Sequence, residues 1–268
     1  MQRRHIAILP ILIALVVIGF KYFSAEKVTS PITGKTARVG LSSQQEETLG
    51  LQSYREVLSQ SEVVTRGPEH DLVKRVAERL ARVAGDTAKE FQWEVSLVRS
   101  PQVNAFCLPG GKIVVYTGIL RYTENEGALA AVMGHEMAHA VARHGSQRLL
   151  RTTLAQTLLI GANFSMGSLD PQQRQAIMAA LGAGAQYGVL LPFSRQHETE
   201  ADELGLLYMA RAGYDPHEAI SFWERMSKVG GAQPPAYLST HPSHARRIQD
   251  LEEFMPRAMQ EYQKARNR

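Results

Sequence analysis

Gly134-His-Glu-Met-Ala-His-Ala140 lies inside an otherwise apolar run from Ala128 to Ala142. An oily helix gains nothing from three ionisable side chains unless they share a task. A single histidine on such a helix is ordinarily a satisfied core residue, but here the polar group is triple, and burying an unpartnered carboxylate costs several kcal/mol. His135 and His139 stand four apart, so on a helix their rings emerge on one face, one turn above the other. That spacing makes a two-toothed metal chelate. Glu136 projects beside the first ring, where a metal-activated water would lie in the zinc-hydrolase pattern H-E-x-x-H. Thr123-Glu-Asn-Glu126 reads as a capping box directly before the run, and the run itself has no proline, so the segment is expected to be helical.

Catalytic zinc takes three protein ligands and keeps one position for water, so two histidines are not enough. The longer pattern H-E-x-x-H-x-x-G-x-x-H would need Gly at 142 and His at 145; the chain has Ala142 and Gly145. His144 is one place short and reads as an exposed helix-end residue. A better source of the third ligand is Ser194-Arg-Gln-His-Glu-Thr-Glu-Ala-Asp202. Ser194 can cap a helix running to Ala212 and stopping at Gly213, on which Glu198 and Asp202 share a face. Glu198 could bind the metal while Asp202 accepts the free N–H of a ligand histidine and fixes its tautomer. Glu200 and Glu203 are expected to be solvated.

The chain has 268 residues and a net charge of +4, enough length for one catalytic domain with appended segments. Its basic residues are interspersed with acidic ones, which argues against a nucleic-acid partner. The lone cysteine, Cys107, excludes an internal disulfide framework and a Cys-rich metal site, and reads as a small strand hydrophobe.

At the N-terminus, basic Met1–His5 precedes an uncharged apolar stretch, Ile6 to Phe20, which suits a short signal anchor or a signal-peptide core. Tyr22 and Phe23 occupy places where a cleavage site wants small residues, so an uncleaved anchor (1–23) is favoured. Arg3 and Arg4 then leave the N-terminus cytoplasmic and send the rest across. Residues 24–42 read as an extended linker, and 43–268 as the metallopeptidase domain.

Within that domain, helical patterning begins near Ser43, and a second helix covers His70 to Val83, ended by Gly85. Trp93, Val95 and Leu97 alternate with polar residues, a strand signal. Val103 to Leu108 and Ile113 to Thr117 read as β segments around the turn Pro109-Gly110-Gly111. Sheet first and active helix after is an α+β order. Leu149 to Phe164 and Gln172 to Leu191, rich in Ala, Gly and Leu, read as core helices, with a lid or membrane-touching segment as the alternative. No repeat of solenoid period is present.

These residues resemble the membrane-associated zinc metallopeptidases of family forty-eight. The resemblance covers roughly Pro31 to Ile248. It rests on Asn104-Ala-Phe-Cys-Leu-Pro-Gly-Gly-Lys112 leading into Thr117-Gly-Ile-Leu120, on His135-Glu136-x-x-His139, on Ser194-Arg195-x-x-Glu198-x-x-Ala201-Asp202, and on Thr240-His241-Pro242-Ser243. It implies a mainly helical zincin-like (gluzincin) domain with a small β-sheet and one zinc ion (Zn2+) per chain on His135, His139 and Glu198. A histidine at the place of His241 is implied to approach the zinc as an inhibitory fourth ligand or as an oxyanion stabiliser; a plain loop histidine is the third reading.

The expected function is zinc-dependent endopeptidase, with Glu136 as general base for the attacking water. By analogy with the family, the substrates are unfolded or misassembled envelope proteins, and the location is the bacterial inner membrane with the catalytic domain in the periplasm. A strand near Pro109–Gly111 would hold the substrate extended through backbone hydrogen bonds. The alternative is a metal-binding, chaperone-like quality-control protein with little proteolysis; the intact Glu136 argues against it.

Overall fold

A computed structural model describes residues 7–30, 33–84, 88–229, 235–241 and 246–267. Arg3, Arg4, Pro31, Gly85, Pro242 and Ser243 lie outside the described residues. The chain forms two compact units. One comprises Ser30–Thr33, Ser43–Arg143 and Glu198–Arg268, and the other Met1–Thr29, Gly34–Ser42 and His144–His197.

The first of these is α+β and mainly helical, as the sequence implies. Helices α2 (Ser43–Ser59) and α3 (Pro68–Ala84) precede a sheet built from β3 (Val63–Val64), β4 (Glu94–Val98), β5 (Ala105–Leu108) and β6 (Lys112–Tyr116). The strand order is β3-β4-β6-β5, with β4 parallel to β6 and the other pairs antiparallel. The β5–β6 hairpin closes through Gly110 and Gly111, whose φ of 79° and 85° only glycine adopts without strain. Cys107 sits half-buried in β5, a strand hydrophobe as expected. Leu97, Ile113 and Val115 are buried in one apolar cluster with the next helices, α4 (Thr117–Thr123) and α5 (Glu126–Val141).

Helix α5 carries the H-E-x-x-H segment and is buried on nearly every side, packed on α3, β5 and α9 (His217–Ser227). Its cap is not the one expected. The Asn125 side chain accepts from the Ala128 N–H at 2.8 Å, while the Thr123 hydroxyl donates back to the Leu120 carbonyl and finishes α4. Glu124, at φ 57°, turns the chain between the two helices, leaving Asn125 extended and in capping position. The C-terminal part of α8 (Leu191–Arg211), then α9, α10 (Ala236–Thr240) and α11 (Arg247–Arg266) complete the unit.

The other unit begins with α1 (Leu9–Ser24), the apolar helix foreseen at the N-terminus. The expected linker is instead a hairpin, β1 (Glu26–Thr29) on β2 (Thr36–Val39), because alternating Lys27-Val28-Thr29 and Thr36-Ala37-Arg38 pair in register. Helix α6 (His144–Ser165) is followed by α7 (Pro171–Ala185) and a π-helical turn, Gln186–Leu190. Through that widened turn one helix runs unbroken from Pro171 to Arg211. Ser194 therefore lies inside a helix and does not cap one; Asp170 caps α7 by accepting from the Gln172 N–H at 2.9 Å. The reading of these segments as core helices fails for α7, which buries none of its residues. His144, expected to be exposed, is buried and stacks on His197 with ring centroids 4.0 Å apart.

Candidate metal centre

Helices α5 and α8 meet backbone to backbone because each carries glycine at the crossing. A Cβ on Gly205 would lie 2.7 Å from the His135 amide nitrogen, and one on Gly134 would lie 3.0 Å from the Gly205 carbonyl oxygen. This close approach sets the carboxylates of α8 against the imidazoles of α5. Both glycines stand in the sequence, but nothing in their spacing announces that they touch.

Four side chains converge at that crossing. His135, His139, Glu198 and His241 each offer a ligand atom, all within 4.8 Å of one another. Nε2 of His135 lies 3.1 Å from Nε2 of His139 and 3.2 Å from Nδ1 of His241. Oε2 of Glu198 is 3.4 Å from Nε2 of His135 and 3.1 Å from Nδ1 of His241. Oε1 of Glu198 is 3.4 Å from Nε2 of His139. Donors placed tetrahedrally at ~2.0–2.1 Å from one ion stand ~3.3 Å apart, close to the 3.1–3.4 Å separations of His135 from His139, His241 and Glu198. The residues therefore fit a divalent metal.

Around the donors, Asp202 lies with Oδ1 2.8 Å from Nδ1 of His135. That contact orients the ring with Nε2 toward the other donors. Burial and the Arg247 charge both oppose protonation of His135, yet its hydrogen bonds and charge interaction with Asp202, aided by Glu198, outweigh them and raise its pKa to about 9. Burial works to raise the Glu198 carboxyl, but hydrogen bonds from His135 and His241 and the charges of His139 and His135 hold it far below the usual range. Asp202 is likewise lowered against the pull of burial, chiefly by Arg247 and then by His135.

Arg247 is the residue that sequence reasoning missed. It is 1% exposed, donates to Oδ1 of Asp202 at 2.6 Å and to Oε2 of Glu198 at 3.3 Å, and lies 3.6 Å over the Trp223 ring. Two buried carboxylates demand a buried cation. That demand was readable once Glu198 and Asp202 were both placed, although several arginines could have met it.

Glu136 is buried with Oε1 3.3 Å from Nε2 of His241, and that oxygen has no hydrogen-bond partner among the described residues. It therefore faces the cluster, as H-E-x-x-H requires. His241 ends α10 on the His135 side of the cluster and packs its ring 4.8 Å from that of Tyr237. Glu200 is buried rather than solvated and accepts from the Thr33 hydroxyl at 2.7 Å, while Glu203 pairs with Arg257 at 2.9 Å.

A family model described as peptidase family M48 matches residues 69–255. The chain belongs to peptidase family M48. It is 36% identical over 250 residues to the mitochondrial metalloendopeptidase OMA1 of Schizosaccharomyces pombe, covering 91% of this chain and 71% of that protein. It is 30% identical over 249 residues to human mitochondrial metalloendopeptidase OMA1, covering 89% and 47%. The beta-barrel assembly-enhancing protease of Escherichia coli is 28% identical over 233 residues, covering 85% and 47%. The chain thus spans about half the length of the human and E. coli proteins. As an M48 member with such relatives, this chain is a metalloendopeptidase, and the metal-fitting cluster lies within the matched segment.

The expected bacterial envelope location, with a periplasmic catalytic domain, is overturned. Relatives over nine-tenths of the chain at the higher identities are mitochondrial proteins of eukaryotes. The sequence signal behind that expectation, a basic segment before an apolar stretch, carries no information about which membrane system a chain belongs to.

Proposed function

We propose that this metallopeptidase holds one zinc ion on His135, His139 and Glu198 and hydrolyses peptide bonds of unfolded or misassembled proteins at a mitochondrial membrane. The convergence of those three side chains, with Glu136 beside them, carries the reading. The donor set of two imidazoles and one carboxylate is that of catalytic zinc. When bound, such an ion polarises a carbonyl and brings the pKa of water toward neutrality. Glu136 takes the proton of the attacking water on Oε1 and passes it to the leaving amine. Asp202 holds the His135 ring, and Arg247 balances the charge of Asp202 and Glu198.

Substrate is held extended along β5. This strand lies at the end of the sheet, with β6 its one pairing partner among the described residues, and packs beside α5. A free strand edge binds through backbone hydrogen bonds and tolerates varied side chains, as unfolded substrates require. His241 is a latch: its Nδ1, 3.2 Å from Nε2 of His135 and 3.1 Å from Oε2 of Glu198, would be a fourth donor to a bound ion and would have to swing aside to admit substrate. The mitochondrial names of the relatives support the location.

Cleavage of an unfolded protein such as reduced casein tests this reading. Glu136→Gln is expected to keep its zinc and lose at least about 10²-fold in rate, the usual worth of a general base. Equal cleavage by variant and parent would transfer the activity to another residue, and no cleavage by a zinc-loaded parent would favour a metal-binding chaperone.

A further inference from the structure

Exposed large hydrophobics gather on the helices of the N-terminal unit, of which α1 and the helix from Pro171 are apolar and α6 is mixed. Among the described residues every exposed large hydrophobic except Leu49 lies on α1 or its capping residue Ile8, on α6, on α7 or on the π-helical turn. The helix from Pro171 is long and apolar enough to cross a membrane, and its most apolar window has no buried share, so it is not the core helix of a soluble fold. Between Arg174 and Arg195 it has 20 residues without a charge. At ~1.5 Å per residue they span ~30 Å, the thickness of a bilayer's hydrocarbon core.

Helices α1 and α6 run antiparallel: the Ala7 N–H donates to the Ser165 carbonyl at 2.9 Å, and Gly161 meets Ala14, Pro10 and Ile11. A Cβ on Gly161 would lie 2.5 Å from that of Ala14, the small-residue contact by which helices pack in lipid. The Thr157 hydroxyl donates to the Thr153 carbonyl at 2.8 Å and so needs no water. Gln156 and Asn163 are exposed polar interruptions on α6, whereas α7 has none between Gln175 and Gln186.

Where these apolar stretches give way to charge, aromatic rings pair with arginines. Arg38 lies 4.8 Å over the Tyr22 ring and Arg151 lies 4.0 Å over that of Phe193. Basic and aromatic residues together mark the headgroup level of a membrane protein.

We infer that α6 and the apolar helix from Pro171 enter the phospholipid bilayer together with α1, as a helical hairpin packed on the anchor, with the Arg38–Tyr22 and Arg151–Phe193 pairs at the headgroups. Helix α1 is then a retained structural partner of α6, because its removal would bare Gly161 and its neighbours.

Depth-dependent quenching tests this. The full chain with Cys107→Ser receives Leu158→Cys, Leu181→Cys, Val16→Cys or, as control, Leu49→Cys, each carrying a bimane label. It is reconstituted into phosphatidylcholine–phosphatidylglycerol vesicles with brominated acyl chains. Labels at 158, 181 and 16 should lose roughly half their emission within the ~30 Å core while the label at 49 keeps its own. Hydrogen exchange of amides 176–190 in the unsubstituted chain, slowed by vesicles and unchanged by raising protein concentration without lipid, would give the same answer without a label. Quenching at 16 alone would overturn the proposal, as would exchange slowed by concentration alone, which would assign the face to a second copy of the chain.

Discussion

Gly205→Ala tests the crossing that assembles the metal centre. The new methyl would sit 2.7 Å from the His135 amide nitrogen, where ordinary contact begins at 3.4 Å, so α5 and α8 must part by about 0.7 Å. The obstacle is helix backbone, which cannot rotate away as a side-chain tip would. Metal sites tolerate deviations of about 0.2 Å in ligand distance, so Glu198, now 3.4 Å from His135, would be carried out of shared ligand reach. Overpacking of this kind costs about 1–3 kcal/mol in a well-packed core. Disturbed support of a ligand lowers metal affinity about 10–100-fold. Competition against a zinc chelator would measure the affinity, and thermal unfolding with and without zinc would separate it from the packing cost. A variant that binds zinc as tightly as the parent and melts at the same temperature would refute the close crossing as the device that builds the site.

His241→Ala should raise peptide hydrolysis and leave zinc stoichiometry at one, since three ligands remain; a deep fall would assign transition-state help instead, and no change would remove both roles. Arg247→Met leaves the Asp202 and Glu198 carboxylates buried without their cation, an imbalance worth about 3–5 kcal/mol, and the loss should be larger in chelator than with zinc, which neutralises the same charges. Denaturant unfolding under both conditions reads the difference; equal losses would deny the shared charge.

Much of the catalytic centre was legible because its chemistry is local. His135, Glu136 and His139 are fixed by one helical turn, and Glu198 with Asp202 by another, so spacing alone sets each group on one face. Their meeting was legible only from what zinc requires, a third ligand. The crossing at Gly134 and Gly205 was not, since glycine serves many purposes and contact between distant segments leaves no periodic trace. Arg247 escaped for a related reason: its partners are named by charge balance, but which arginine answers depends on how α11 docks. The cap of α5 was misplaced because Thr123 and Asn125 both precede the run and the turn at Glu124 decides between them. The exposure of α7 was invisible to composition, because buried and exposed apolar helices are written in the same residues.

The most direct measurement is X-ray absorption at the zinc edge on the purified full-length protein and its Glu198→Gln variant. The parent should hold one zinc per chain at ~2.0–2.1 Å from imidazole nitrogens and a carboxylate oxygen, with the oxygen contribution reduced or the zinc lost in the variant. An unaltered spectrum at full zinc occupancy in Glu198→Gln would contradict the assembly of the site from two distant helices.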